Sequence, residues 1–168
     1  MKNLSFDIIT LIMEEEIKKL NEIADFFNRI NKKIILLNLI NKAKAEYDKS
    51  DFKEGKNTLL EAYNIDKNNS AVLRGLGNLE LFEKNFDKSI EFYTEAIENS
   101  DNKEIEYTLI GMAYYLQDKL DEALKYFNLA IDENENYTSA YEGRNQTMLE
   151  NHLKIIDLQE GLENYFRK

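Results

Sequence analysis

Hydrophobic residues recur along most of the chain with the spacing of one face of an α-helix. In the clearest stretch, Tyr107, Ile110, Gly111 and Tyr114 follow a three-then-four spacing. Polar residues at 117–119 interrupt this pattern, and a second apolar face follows, made of Leu120, Ala123, Leu124, Phe127, Ala130 and Ile131. The pattern predicts two helices joined by a short turn. Such a unit cannot bury both of its faces alone, so it must stack on copies of itself.

The chain repeats with a period of 34 residues. Two sets of small residues coincide at this shift, namely Ala43, Gly77 and Gly111, and Ala62, Ala96 and Ala130. Large apolar residues coincide as well, as in Leu59, Tyr93 and Phe127. Small side chains let two helices approach closely, and large ones fill the space between neighbouring helices. We therefore predict three repeats, at 36–69, 70–103 and 104–137.

The third repeat resembles the tetratricopeptide repeat, whose pattern is a large residue, Leu-Gly and Tyr, followed by Ala, Phe and Ala. The residues that carry the resemblance are Tyr107, Ile110, Gly111, Tyr114, Ala123, Phe127 and Ala130. The second repeat has Glu80 where a tyrosine is usual, and the first has Lys42 in place of the leucine. The resemblance implies an all-α fold, a right-handed superhelical solenoid of helix-turn-helix repeats. In this family the first helices usually line a concave surface that binds peptides.

Two segments outside the repeats are also expected to be helical. Residues 138–168 start like a partial fourth repeat and then lose the pattern, so we interpret them as a C-terminal capping helix or helix pair. Residues 1–35 form an N-terminal helical segment that is not a repeat. Its broad apolar stripe consists of Ile9, Ile12, Met13, Ile17, Leu20, Ile23, Phe27 and Ile30. This stripe must bury against the first repeat, inside the groove, or against a second copy of the protein.

The charge balance narrows the class of partner. The chain has a formal net charge of −10 and a pI near 4.7, so it repels phosphate backbones and anionic membrane surfaces. No apolar run approaches the roughly 20 residues that span a bilayer. Cysteine is absent, which fits a reducing compartment. We therefore expect a cytoplasmic protein that binds no nucleic acid, does not insert into a membrane, and takes an apolar protein or peptide of neutral or basic charge.

Residues that could carry out catalysis or bind a metal are scarce. His152 is the only histidine and has no cysteine to pair with. The segment 132–136 starts like a calcium loop, but Tyr137 stands at the glycine position and Gly143 at the final acidic position. We predict no catalytic residue, no cofactor and no metal site, and hence a binding protein rather than an enzyme.

The resemblance also implies which residues face the concave surface. They are Leu37, Ile40, Asn41 and Lys44 from the first repeat, Arg74, Asn78, Leu81 and Phe82 from the second, and Ile105, Leu109, Met112 and Tyr115 from the third. Most are apolar, which favours a site for a helix or an extended peptide. Some members of the family hold acidic C-termini with a clamp of Lys, Asn and Arg side chains. That set is incomplete here, so we expect no tight binding of acidic tails.

The leading hypothesis is therefore an adaptor that binds a partner segment in an apolar concave groove. One alternative is a chaperone similar to the class II chaperones of type III secretion, which share an N-terminal helical segment, three repeats, a terminal helix and an acidic surface. Another alternative is a self-assembling structural scaffold, including a homodimer through the N-terminal helical segment.

Overall fold

Seven helices follow one another along residues 2–167. They are α1 (Lys2–Asp48), α2 (Phe52–Ile65), α3 (Ser70–Phe82), α4 (Phe86–Ile97), α5 (Lys103–Leu116), α6 (Leu120–Glu133) and α7 (Thr138–Phe166). The computed structural model describes the backbone of these residues and the side chains of residues 10–160, 162, 165 and 167. Ile9 of the predicted stripe lies outside the described side chains. The predicted all-α repeat solenoid is confirmed, since each helix packs on the next along the chain.

The turn between the two helices of a repeat has the same geometry in all three repeats. Each turn contains one residue of positive φ, and these residues are Ser50, Lys84 and Asp118, at 64°, 63° and 64°. The residue that follows donates its backbone N–H to the carbonyl five residues earlier, with distances of 2.8–3.0 Å at Asp51, Asn85 and Lys119. This bond closes the end of the first helix in the manner of a Schellman motif. Because the turns have the same geometry, the second helix leaves the first helix in the same direction in each repeat.

One large side chain of each second helix sets how closely it approaches a first helix. Tyr93 on α4 is fully buried, and its ring lies only 2.5 Å from where a Cβ atom on Gly77 of α3 would be. Phe127 on α6 holds the same place one repeat later. Its ring lies 2.9 Å from where a Cβ atom on Gly111 would be, and it is closer still to Gly143 of α7. Only glycine leaves room for these rings, so the small residues of the repeat are a packing requirement.

A buried carboxylate stands in the second repeat where a tyrosine is usual. Glu80 on α3 is 3% exposed, and it accepts hydrogen bonds from Lys88 Nζ at 2.8 Å and Asn85 Nδ2 at 2.9 Å. Lys56 Nζ of α2 lies 3.2 Å from the same carboxylate. Burial acting alone would raise the pKa of Glu80, but the hydrogen bonds from Lys88, Asn85 and Lys56 outweigh it and lower the pKa to about 2. The ionised Glu80 therefore ties the first repeat to the second.

Helix α1 runs without a break from the non-repeat segment into the first repeat. Every residue from 10 to 35 is exposed, whereas Leu36 and Ala43 are buried in the core of the first repeat. The apolar stripe therefore does not bury against the first repeat or inside the groove. Those two predicted alternatives are wrong for the described side chains, because a continuous helix cannot fold back onto its own repeat.

A single long helix, rather than a pair, follows the third repeat. Near the start of α7, Ala140 and Thr147 are fully buried. Further along, Lys154 forms an ion pair with Asp118 in the turn of the third repeat. Beyond this point the apolar residues Leu158 and Leu162 are 67% and 58% exposed. The first half of α7 thus covers the last repeat, and its second half extends beyond it.

We expect Gly77→Ala to lower the free energy of unfolding by about 1–3 kcal/mol, because the added methyl group would overlap the buried ring of Tyr93. At Gly55 of α2 the nearest atom to an added Cβ would be the Ala43 carbonyl oxygen, at 3.5 Å. Gly55→Ala is therefore the matched control. It should be neutral or stabilise by up to about 1 kcal/mol, since alanine favours a helix over glycine. Urea denaturation measures both variants, and equal stabilities would contradict this role of Gly77.

The protein should lose stability as the pH falls from about 4.5, the ordinary pKa of a glutamate, towards about 2, the pKa of Glu80 in the fold. The sign follows from the lowered pKa, because the stabilisation is present while Glu80 is ionised and disappears when it is protonated. Glu80→Gln should cost about 2 kcal/mol at neutral pH and flatten this part of the profile. Glu83→Gln is the control, because Glu83 is 42% exposed and its ion pair contributes less than about 1 kcal/mol. An unchanged pH profile for Glu80→Gln would refute the assignment.

Candidate peptide-binding groove

A pocket of about 300 Å³ lies between α1 and α3. Its lining consists of Ile40, Ala43, Lys44, Tyr47 and Asp48 from α1, Leu59 from α2, and Ala71, Gly75 and Asn78 from α3. Gly75 has no side chain, and a Cβ atom there would lie 3.0 Å from Leu59. The floor of the pocket is therefore apolar, and its polar groups are the Lys44 cation, the Asp48 carboxylate and the Asn78 amide.

A second pocket, of about 460 Å³, continues towards the N-terminal part of α1. It shares Ile40 and Ala71 with the first pocket, and its lining is completed by Arg29, Lys32, Lys33, Leu36, Leu37, Asp66 and Asn69. Lys32 Nζ lies 3.3 Å from Asp66 Oδ2. This end of the groove is therefore locally basic, although the whole chain is acidic.

Four of the sequence-predicted residues line these two pockets. Ile40 lines both, Leu37 lines the second, and Lys44 and Asn78 line the first. Asn41 is exposed on α1 and lines neither. The structure thus brings Ile40 and Lys44 of α1 together with Asn78 of α3 at the first pocket.

Arg74 is engaged inside the fold. Its Nε atom lies 2.9 Å from Oε1 of Glu106, a carboxylate on α5 that is fully buried. Ser100 donates a hydrogen bond to the other oxygen of Glu106 at 3.0 Å. The ion pair ties the first helix of the second repeat to the first helix of the third. Since its charge is already compensated, Arg74 is not a free cation for a ligand.

Phe82 lies in an aromatic cluster at the end of α3. Its ring stacks on Phe52 of α2, with centroids 4.5 Å apart, and meets Tyr47 of α1 edge-on at 6.5 Å. Phe82 remains 59% exposed, while its neighbour Leu81 is half-buried. Tyr47 also lines the first pocket, so the cluster forms an apolar rim beside the pocket rather than a wall of it.

The predicted residues of the third repeat lie along α5. Ile105 and Leu109 are half-buried, whereas Met112 is 43% exposed. The hydroxyl of Tyr115 donates a hydrogen bond to Glu150 of α7, and this bond raises the pKa of Tyr115. None of the four lines the pockets described above, so their part in a binding site stays a prediction.

Several lining residues were absent from the sequence prediction. Ala43, Tyr47 and Leu59 form the floor and wall of the first pocket. The 34-residue period could have indicated two of them, because Ala43 aligns with Gly77, and Leu59 with Tyr93. It gives no such signal for Asp48. The sequence analysis predicted that only first helices line the site. Leu59 of the second helix α2 also reaches the pocket floor, because Gly75 of α3 has no side chain there.

The described residues offer no arrangement typical of a metal centre or of a membrane span. Among the described side chains, which are those of residues 10–160, 162, 165 and 167, no group of three or more histidine, aspartate and glutamate residues is placed to hold a metal ion. Within residues 2–167, every helix lacks the combination of length and apolar content that crossing a bilayer requires.

Paired helices of equal spacing, with glycines where the helices meet, define a helical repeat protein. A family model described as Tetratricopeptide repeat matches residues 75–103 and 107–137, which span the pairs α3–α4 and α5–α6 from Gly75 onwards. The chain thus carries tetratricopeptide repeats over these residues, as the sequence predicted. No curated protein matches it in sequence.

Solved structures with this fold include proteins of different roles. The Arabidopsis OM64 tetratricopeptide domain is 16% identical with a TM-score of 0.64, and the match covers 71% of this chain and 98% of that one. The second such domain of human RPAP3, in complex with the HSP70 peptide SGPTIEEVD, is 12% identical with a TM-score of 0.62, covering 70% and 98%. The Yersinia enterocolitica type III secretion chaperone SycD, in complex with a peptide of the translocator YopD, is 16% identical with a TM-score of 0.62, covering 69% and 94%. At these identities the similarity establishes the fold.

We expect Arg74→Ala to lower the free energy of unfolding by about 3 kcal/mol, because it leaves the buried carboxylate of Glu106 without its counter-ion. Lys44→Ala removes an exposed cation from the neighbouring helix α1 and should change stability by less than about 0.5 kcal/mol. Thermal and urea denaturation compare the two variants directly. A neutral Arg74→Ala would mean that the ion pair is not important for joining α3 to α5.

Proposed function

We propose that the chain is an interaction module that binds an apolar segment of a partner protein in the groove of α1, α3 and α5. The observation that carries the proposal is the pocket between α1 and α3, whose floor of Ala43, Leu59 and Gly75 would accept one large apolar side chain. Concave apolar sites with a few polar groups at the edge are typical of peptide recognition.

The charges around the first pocket favour a segment without net negative charge over an acidic tail, although the second pocket is locally basic. Lys44 and Asp48 lie on the same helix at the pocket and nearly cancel. Arg74, the other cation predicted for the groove, is already paired with Glu106. A clamp for a terminal carboxylate needs several uncompensated cations at fixed positions. The related human domain whose structure contains the peptide SGPTIEEVD is thus similar in fold but is not our model for the ligand.

A second candidate role is that of a chaperone for an apolar segment of a secreted protein. It is favoured by the exposed apolar side chains of α5, where Met112 and Leu116 are 43% and 51% exposed. The similarity to SycD, solved with a peptide of a translocator, supports the same idea at the level of the fold. A chaperone would keep its partner soluble before assembly, which an adaptor need not do.

Selection from a random peptide library, followed by calorimetric titration of the enriched peptides, tests the proposal. We expect enriched peptides to carry a large apolar residue and no net negative charge. Ala71 is exposed on α3 and lines both pockets, so Ala71→Phe should fill the site without disturbing the core. It should weaken binding at least about tenfold, the loss expected for one buried apolar anchor.

Ala45→Phe provides the matched control, because Ala45 is exposed on α1 and lies outside both pocket linings. This variant should bind the same peptides with unchanged affinity. Equal affinities for Ala71→Phe and Ala45→Phe would show that the pocket is not the site. Enrichment of acidic peptides, or tight binding of SGPTIEEVD, would overturn the proposed charge of the partner.

A further inference from the structure

The apolar stripe of α1 follows a strict seven-residue repeat. Met13, Leu20, Phe27 and Ile34 lie seven residues apart, and Ile23, Ile30 and Leu37 form a second set with the same spacing. The two sets alternate at intervals of three and four residues, which is the a and d pattern of a coiled coil. Glu16 is the single polar residue at a core position between Met13 and Leu37. Such a pattern indicates pairing with another helix rather than packing on a globular core.

No described part of this chain covers the stripe. The seven apolar core positions are between 36% and 64% exposed, although all lie in the middle of a long helix. Together with Ile12, Ile17 and Phe26 beside them, they leave on the order of 1,000 Å² of surface uncovered, which exceeds the 300–600 Å² patch of a typical monomer. This area is comparable with the roughly 800 Å² that each partner contributes to a stable interface.

Charge is segregated along the same helix. Residues 14–25 carry five carboxylates and two lysines, a net charge of −3. Residues 26–45 carry Arg29, Lys32, Lys33, Lys42 and Lys44 and no acidic residue, a net charge of +5. The helix therefore has an acidic half and a basic half, which are complementary to each other only when two copies run in opposite directions.

We propose that α1 pairs with α1 of a second copy of the chain as an antiparallel coiled coil over residues 13–37. In this register Met13 of each copy lies opposite Leu37 of the other, Leu20 opposite Ile30, and Ile23 opposite Phe27. The acidic residues 14–16 of each copy then lie beside the basic stretch around Lys33 of the other.

The position of Glu16 distinguishes this arrangement from a parallel one. In a parallel pair, identical core positions face each other, so the two Glu16 carboxylates would meet in the interface, and acidic halves would lie against acidic halves. In the antiparallel pair, Glu16 faces Ile34 and lies next to Lys33 of the second copy. Opposed helix dipoles favour the antiparallel direction as well.

The paired segment overlaps the second pocket, through Leu37 and Lys33, but not the first pocket. The stripe ends at Leu37, which lines the second pocket, whereas Lys44 and Asn78 of the first pocket lie beyond the paired segment. Phe27 and Ile34 line neither pocket, so substitutions there test the pairing without removing a residue of the peptide site.

Sedimentation equilibrium of the full chain tests the association. We expect a mass of two chains of 19.8 kDa each for the wild type. Phe27→Asp and Ile34→Asp should each raise the dimer dissociation constant at least about tenfold. Ile35→Asp is the matched control, because Ile35 is 49% exposed and Ile34 51% exposed, yet only Ile34 occupies a core position. Dimerisation should survive in Ile35→Asp.

Circular dichroism of each variant establishes that α1 remains helical. A wild type that is monomeric throughout, or that forms larger assemblies, would refute the pairing of two chains. Equal effects of Ile34→Asp and Ile35→Asp would refute the heptad register.

Spin labels on introduced cysteines test the direction, since the chain has no cysteine of its own. Asp25→Cys lies at the centre of the register on the outer face of the pair, so its two labels should be separated only by the width of the coiled coil. Glu14→Cys lies eleven residues away, so the two labels should be separated by about 33 Å along the axis in the antiparallel pair. Distances set by the width of the coiled coil alone at both positions would indicate a parallel pair and overturn the proposal.

Discussion

The stack depends on one large side chain per repeat that packs against a glycine of a neighbouring helix. Phe127 shows the constraint most clearly, because its ring lies against Gly111 of its own repeat and against Gly143 of α7. Tyr93 meets Gly77 in the same way, and Leu59 lies against Gly75. Close-packed interiors tolerate no added volume at such points. The spacing of the first helices, and therefore the shape of the groove between them, follows from these contacts.

Where a charged residue interrupts the apolar packing between two helices, ionic contacts stabilise the joint between them. In the third repeat, Tyr114 stacks on Tyr126 of the second helix, with centroids 5.4 Å apart. The equivalent residue of the second repeat is Glu80, which recruits Lys56 from α2 and Lys88 from α4 instead. A buried charge stabilises a joint only while all its partners are present. The joint between the first and second repeats is therefore sensitive to pH through Glu80.

The period of 34 residues was sufficient to predict the helix pairs and their family, because small and large residues alternate at fixed places in all three units. It could not predict that α1 is continuous, since an apolar stripe of that length is compatible with one helix or two. The sequence analysis also predicted that Arg74 faces the groove. A repeat pattern does not reveal that Arg74 pairs with Glu106, which lies 32 residues later in the chain. A signal did exist, since Glu106 aligns with Val72 and Ala140, and all three are fully buried. An acidic residue at a core position requires a counter-ion nearby, and Arg74 supplies it.

The end of the stack can be explained by the same positional reasoning. Helix α7 takes the place of a fourth first helix, because Ala140 and Thr147 are buried and Gly143 receives the Phe127 ring. Ile110 of α5 is fully buried. The equivalent residue of α7 is Arg144, and its guanidinium lies over the Tyr141 ring at 5.0 Å. A second helix could not pack on this face without burying the guanidinium of Arg144, which is costly without a carboxylate partner. At this position α7 thus departs from the apolar pattern with which the first helix of a repeat packs on its second helix.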